Sequence, residues 1–344
     1  MPGAIVHATL LVRLGVSVQQ STIARRVACS GIGLHSGEKV KLALCPAAAG
    51  TGIVFVSLGG AKDGGDIEIP ATTGAVLSTS RATTLGSSSA PAALASPHSP
   101  SDADTFDPEI VKITTVEHLL ATLFALEIDN ARVEVDGTEI PAMDGSAAHF
   151  VDWVRLAGRE SQNVARRRLA VVKPFEIRDG DRWIRIEPAD ALRISYAIDF
   201  AHPCIGRQSF EIPRFDGTVF ERDLAAARTF GFAHEVEELR NAGLARGGSF
   251  DNTVVLDETK VLNSGGLRWP DEFVRHKITD LVGDLALLGA SLDAHIRVEK
   301  GGHRLHHQLV RALVDRPELL VDRTEGRSIE SDSGLAPARA LAQS

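Results

Sequence analysis

The sequence predicts an α+β protein of two domains of similar topology, each a β-sheet packed with a helix pair. Three observations carry that prediction. The chain has 344 residues, 44% apolar and 24% charged, an ordinary globular composition at a length suited to about two domains. An order of strands, helix, strand, helix runs once up to residue 166 and then restarts. Each half also carries a Val-x-His triplet ahead of an apolar helical run: Val116-Glu117-His118 in the first and Val274-Arg275-His276 in the second.

Residues 1–21 read as a leader of unassigned role. The apolar stretch from Ala4 to Val16 is interrupted by Arg13 and lacks both a basic n-region and a small-residue cleavage site, so a cleaved signal peptide is not expected. The first domain, 22–166, opens with "VKLALCP", which alternates apolar and polar residues, and "GIVFVSL", which reads as a neighbouring strand. Residues 87–109, "SSSAPAALASPHSPSDADTFDPE", are too polar and too broken by proline to pack and read as a mobile surface insertion. A helix over 114–126, a strand in "ARVEVDG" and a helix from Ser146 to Leu156 close this half.

The basic stretch "ARRRLA" marks the boundary near 166, and the second domain, 167–321, begins with strands in "LAVVKPFEI", "RWIRIEP" and "LRISYAIDF", with a turn at "RDGD". A long helix over 271–289 follows, with Pro270 at its start, then a strand in "AHIRVEK", a glycine turn in "GGH" and a helix over 304–315. The segment 322–344 is polar and expected to fray.

Composition excludes several functions. A net charge of −8 argues against nucleic-acid binding, which needs a basic surface. No run reaches the length of about 18 apolar residues that a bilayer-spanning helix requires. No cationic amphipathic helix is visible either, so membrane contact is expected to be peripheral at most. Cys29, Cys45 and Cys204 form no C-x-x-C pair and are odd in number, which indicates neither a thiolate zinc site nor a disulfide framework and fits a reducing cytoplasm. A monomer is expected.

Metal chemistry enters through the long helix. "FVRHKITDLVGDLALL" places His276, Asp280 and Asp284 at i, i+4 and i+8, successive members on neighbouring turns of one side. Val274, Ile278, Leu281, Leu285 and Leu288 gather opposite them. Imidazole and carboxylate at i, i+4 can share a divalent ion, or can simply form a surface ion pair. A third ligand could come from His118 on the matching helix of the first half. Two histidines and one aspartate would leave an open position for water, as in catalytic zinc sites.

Glu117, beside His118, has two readings. Thr114 followed three residues later by Glu117 is a capping box, which makes the glutamate structural. The same glutamate could serve as general base next to a metal-activated water. In "EKGGHRLHH", His303 follows two glycines and could project into a cleft as general acid with Asp284 as its orienting carboxylate, whereas His306 and His307 read as helix-surface residues. "ARTFGF" offers Thr229 beside Phe230 and Phe232, either an oxyanion donor with an apolar wall or a helix end in the core.

Taken together, "SGIGLHSGEKVKLALCPA", "TTVEHLLATLFALEIDNARVEVDGTEIPAMDGSAAHF", "YAIDFAHP", "ARTFGF", "GGSFDNTVVLD" and "DEFVRHKITDLVGDLALLG" resemble the UDP-3-O-acyl-N-acetylglucosamine deacetylases, zinc amidases of lipid A biosynthesis. The resemblance runs from Thr22 to Val314. It implies two similar layered α+β domains with the active site between them, and hydrolysis of the 2-acetamido group of an acylated UDP-sugar with release of acetate. It also implies zinc on His118, His276 and Asp280, with Glu117 as base. His303 would be the catalytic histidine with Asp284 behind it, Thr229 the oxyanion hydroxyl and Lys277 a lysine lining the site. Asp199 and Phe200 fall where the family meets uridine, and Lys300 near the pyrophosphate. The leader and the Ser/Pro-rich insertion depart from the family pattern without removing any of these positions.

The segment from Phe230 to Phe250, "FGFAHEVEELRNAGLARGGSF", combines a short helix, apolar residues and glycines and is expected to hold the acyl chain, with Phe232 and Leu239 in its wall. One alternative is a non-catalytic sugar-nucleotide or lipid-binding protein that uses zinc to clamp two domains. It requires a fourth protein ligand and no spare histidine near the metal. A zinc peptidase would need H-E-x-x-H, which is absent.

Overall fold

The structure, a computed structural model, describes residues 18–87 and 110–324. The leader up to residue 17, the insertion from 88 to 109 and the tail beyond 324 lie outside the described residues.

Two five-stranded sheets repeat one topology. In the first, Lys39–Pro46 pairs antiparallel with Val27–Ile32 and with Ala131–Asp136. Ala131–Asp136 then runs parallel to Ile53–Ser57, itself antiparallel to Ile67–Pro70. In the second, Arg182–Glu187 pairs antiparallel with Phe175–Asp179 and with His295–Glu299. His295–Glu299 runs parallel to Arg193–Phe200, itself antiparallel to Gly206–Ile212. With the strands of each sheet numbered along the chain, both sheets read 1-2-5-3-4.

The α-helices among the described residues are α1 (Glu117–Ala125), α2 (Ala148–Ala157), the single turn α3 (Gly217–Val219), α4 (Val236–Asn241), α5 (Glu272–Ala286) and α6 (His303–Asp315). In each half the strand that enters the sheet last takes its middle place and runs parallel to one neighbour. That requires a crossover, and a helix on each side of the strand covers the sheet: α1 and α2 in the first half, α5 and α6 in the second. Alternation sets the buried faces. Val40, Leu42 and Leu44 of one strand and Ile184 and Ile186 of another are buried under the helices, while Lys39, Lys41 and Arg182 stay exposed.

The two halves share one core because α1 and α5 pack directly on each other. Gly283 makes that approach possible: a Cβ at this position would lie 2.1 Å from the backbone oxygen of Glu117. The second sheet and α6 cover α5 on its remaining sides, so the polar stripe His276, Asp280, Asp284 is as buried as the apolar one.

Several elements differ from the sequence reading. "LAVVKPFEI" is two strands: Arg168–Val171 joins a three-stranded sheet with Ser291–Asp293 and Leu320–Asp322, and Phe175–Asp179 belongs to the large sheet. Pro174, which has no N–H to donate, separates them. Gln19–Ile23 begins inside the expected leader and pairs with Arg159–Ala165. Both strands are rich in polar residues, so neither announces itself by alternation. Helices expected over 114–126 and 271–289 are shorter at both ends, at Glu117–Ala125 and Glu272–Ala286.

Candidate active site

The capping box does not form. Val116 precedes the first turn of α1 without a side-chain cap, and Glu117 is the first helical residue rather than the third. Thr114 is drawn away by Thr138, whose carbonyl accepts its N–H at 3.0 Å and its hydroxyl at 3.4 Å. The Glu117 carboxylate is therefore not spent on the helix end. It turns inward, buried, and accepts the N–H of Thr83 at 3.1 Å.

Where α1 crosses α5, His118, His276 and Asp280 converge. The Nε2 atoms of His118 and His276 lie 3.6 and 3.3 Å from Asp280 Oδ1, and the three donor atoms lie within 4.8 Å of one another. Bonds of about 2.0–2.1 Å in a tetrahedral zinc site put ligand atoms about 3.3 Å apart, so the spacing fits. The protonation pattern fits as well. His276 donates Nδ1–H to the Ala227 carbonyl at 3.0 Å, which leaves the Nε2 lone pair facing the cluster. Burial pushes its pKa down to about 4, so the ring is neutral. Burial disfavours charge on Asp280, yet Lys277 and His276 outweigh it and hold the carboxyl well below the usual range. Lys277 Nζ donates to Asp280 Oδ2 at 2.8 Å.

Two further groups flank the triad. His303, at the first turn of α6, places Nε2 3.9 Å from Glu117 Oε1 and 3.8 Å from Asp280 Oδ2. Its Nδ1 donates to Asp284 Oδ2 at 2.8 Å. Burial opposes the imidazolium, but the Asp284 carboxylate prevails and pushes the pKa up to about 9. That direction favours the imidazolium, the form a general acid needs. Glu117 shifts the other way for a carboxylate: burial raises its pKa against the opposing pull of His303 and His118, which makes it a stronger base. The binding-module alternative called for no spare histidine beside the metal ligands, and His303 stands there.

Two sequence expectations are corrected here. His306 is fully buried rather than on the helix surface, with Nδ1 donating to Asp284 Oδ2 at 2.8 Å. His307, mostly buried, has Nε2 3.2 Å from Asp284 Oδ1. The helix packs this face against Asp284, which periodicity alone does not distinguish from a solvated face.

The cluster opens into a cleft of about 800 Å³, within the range of ligand sites. Glu117, His118, His276, Lys277, Asp280 and His303 lie at its floor, and Thr229, Phe200, Phe230 and Phe232 line it. Thr229 is not a helix end: its N–H donates to Gly145 and its carbonyl accepts from Val254, an extended segment that leads into the short strand Phe230–Phe232. Phe200 meets Phe230 edge to face at 5.6 Å and Phe232 at 6.2 Å, which builds one aromatic wall. From there α4 and the glycine-containing turn after it extend the lining with Val236, Leu239 and Phe250.

Lys300 also lines the cleft, its Nζ 2.9 Å from Asp181 and 3.0 Å from Asp199. Asp199 itself is exposed and is not part of the lining. Sequence reasoning missed Arg182 and Arg304, which add positive charge to the same wall as Lys300. Arg304 directly follows His303 and was visible in "GGHRLHH". Thr83, in "SRATTLG", carried no motif at all.

The sequence model of the family described as UDP-3-O-acyl N-acetylglycosamine deacetylase matches residues 20–315. A protein of Anaeromyxobacter sp. (strain Fw109-5) named UDP-3-O-acyl-N-acetylglucosamine deacetylase is 44% identical over 298 residues, 87% of this chain and 89% of its own. Proteins of the same name from Myxococcus xanthus (strain DK1622) and Oleidesulfovibrio alaskensis (strain G20) are each 44% identical. The first covers 88% of both chains, and the second 90% of this chain and 93% of its own.

Proposed function

The chain belongs to the UDP-3-O-acyl N-acetylglycosamine deacetylase family, and from that premise we propose that it works with zinc held by His118, His276 and Asp280, using Glu117 and His303 as its acid–base pair. It is a hydrolase that removes the acetyl group of UDP-3-O-acyl-N-acetylglucosamine in lipid A biosynthesis. The observation that carries the residue assignment is the convergence of three ligand atoms from two helices, with a carboxylate and an imidazole 3.9 Å apart beside them.

When bound, zinc supplies Lewis acidity at the acetamide carbonyl and lowers the pKa of water. Glu117 takes the proton of the attacking water, helped by a pKa that burial has raised. The Thr229 hydroxyl donates to the oxygen that gains charge, and the Lys277 ammonium adds a positive field to the same floor. His303 delivers its Nε2 proton to the departing amine, which would otherwise be a poor leaving group. Asp284, on the other side of the ring, keeps the tautomer and stabilises the imidazolium.

The aromatic wall and the segment Phe230–Phe250 would hold the acyl chain. Phe200 and Asp199 would face the uridine side, and Lys300, Arg182 and Arg304 would meet the diphosphate through charge-assisted hydrogen bonds. We draw the division between the two domains near 166, where Arg159–Ala165 closes the first unit by pairing with Gln19–Ile23. We further infer a cytoplasmic monomer that reaches the membrane only through its substrate. Free thiols at Cys29, Cys45 and Cys204 fit the reducing compartment in that reading; no helix among the described residues is long and apolar enough to cross a membrane.

The deciding experiment is acetate release from the acylated UDP-sugar before and after chelation. Loss on metal removal and recovery with one equivalent of zinc is the expected result. Undiminished release by fully metal-free protein would overturn the zinc assignment.

A further inference from the structure

We propose that Thr83 and His306 are positioning residues for the deacetylation: together they hold both oxygens of the Asp284 carboxylate, and through it the ring of His303, in one orientation relative to Glu117. The inference rests on the reading of His303 as the acid and adds the two groups that make that acid directional.

Asp284 is fully buried, and a carboxylate in such a place needs its lone pairs filled. Oδ1 accepts the Thr83 hydroxyl at 2.6 Å. Oδ2 accepts Nδ1–H from both His303 and His306 at 2.8 Å. His306 can donate only if its proton sits on Nδ1, and Tyr196 enforces that tautomer: its hydroxyl meets His306 Nε2 at 3.0 Å and donates to it. Burial keeps the His306 ring neutral, which preserves the acceptor. Gly301 makes room for the relay, because a Cβ there would fall 2.7 Å from the Tyr196 hydroxyl and 3.3 Å from His306 Nε2.

Thr83 links the two halves of the chemistry. Its N–H donates to Glu117 Oε2 at 3.1 Å while its hydroxyl donates to Asp284 Oδ1, so the base and the carboxylate behind the acid are referenced to one fully buried residue. Without the hydroxyl, Asp284 Oδ1 keeps only His307 Nε2, 3.2 Å away, and the direction of the His303 Nε2 proton is less tightly fixed. The transition state depends on that direction, whereas binding of the substrate does not.

The test measures kcat, KM, zinc content and melting temperature for Thr83→Val, Thr83→Ser, His306→Phe and His306→Asn, with His303→Ala alongside. Thr83→Val keeps the shape and the N–H to Glu117. Serine and asparagine restore an O–H and an N–H donor at the right places. We expect Thr83→Val and His306→Phe to lose about 10–100-fold in kcat, the usual effect of removing a partner of this kind, with KM and zinc content unchanged. The conservative pair should recover most of the rate. Wild-type kcat in the Val and Phe variants beside an inactive His303→Ala enzyme would overturn the inference and leave the acid in place. An active His303→Ala enzyme would overturn the acid reading and this inference with it. Should Thr83→Val not fold, the two His306 variants decide by the same criterion. If neither the Val nor the Phe variant folds, the role is structural and the proposal falls.

Discussion

The imidazoles of His118 and His276 meet edge to face with ring centroids 4.9 Å apart, although each comes from a different half of the chain. Each closes a Val-x-His triplet, His118 in the first turn of α1 and His276 in the second turn of α5. The repeated topology therefore brings two copies of one local pattern together, and Asp280, one turn beyond His276, completes the set.

Ligand and acid–base roles should separate in single substitutions. Replacing His118 or Asp280 by alanine removes one of the three proposed ligands, so zinc content and activity are expected to fall together. Glu117→Ala should keep its metal and lose about 10²–10⁴-fold in kcat. With the capping box absent, only a small change in melting temperature is expected. Metal analysis, melting and turnover on the same variants check this; a zinc-loaded, fully active Glu117→Ala enzyme would remove the base from the mechanism.

Gly283→Ala is expected to damage the site from outside it. The added methyl meets the Glu117 carbonyl at 2.1 Å, and the helices must part by more than a side chain can absorb. Overpacking of this kind costs about 1–3 kcal/mol or more. Because the same displacement moves His118 away from Asp280, zinc affinity should drop as well. Denaturant titration and zinc competition measure the two effects, and a variant with native stability and affinity would show that the crossing tolerates a Cβ.

A charge placed in the apolar wall should act on binding and not on chemistry. Leu239→Asp or Phe232→Asp is expected to raise KM for a long-chain substrate while sparing a short-chain one, because both residues line the part of the cleft proposed to hold the far end of the acyl chain. Equal losses on both substrates would place the acyl chain elsewhere.

Glu272 supplies a pH-dependent share of stability. Burial would raise its pKa, but Arg228, at 2.8 Å, and the backbone N–H groups of Arg268 and Arg228 lower it below its ordinary 4.5. A depressed folded-state pKa means that this stability is fully present above pH 4.5 and is lost as pH falls through the lower folded value. Glu272→Gln should therefore flatten the acid side of a stability–pH profile. Arg228→Leu, which strands the buried carboxylate, should cost about 3–5 kcal/mol at neutral pH. An unchanged acid limb in Glu272→Gln would show that the group does not titrate on unfolding.

By itself the sequence determined the α+β repeat, most of the strand and helix pattern of both halves, and a set of candidate residues for the site. Those signals are local: alternation along "VKLALCP", helical spacing along "FVRHKITDLVGDLALL", and Val-x-His in both halves. Only the tertiary structure decided what each polar residue does. Glu117 satisfies the spacing of a capping box, yet Thr138 removes Thr114 and Thr83 claims the carboxylate, both from outside the helix. His306 has the periodicity of an exposed position and is buried because α6 turns it onto Asp284 and Tyr196. Thr83 lies far along the chain from every group it contacts. Sequence spacing reports which side chains can share a face, and burial against distant elements determines which of them must find partners.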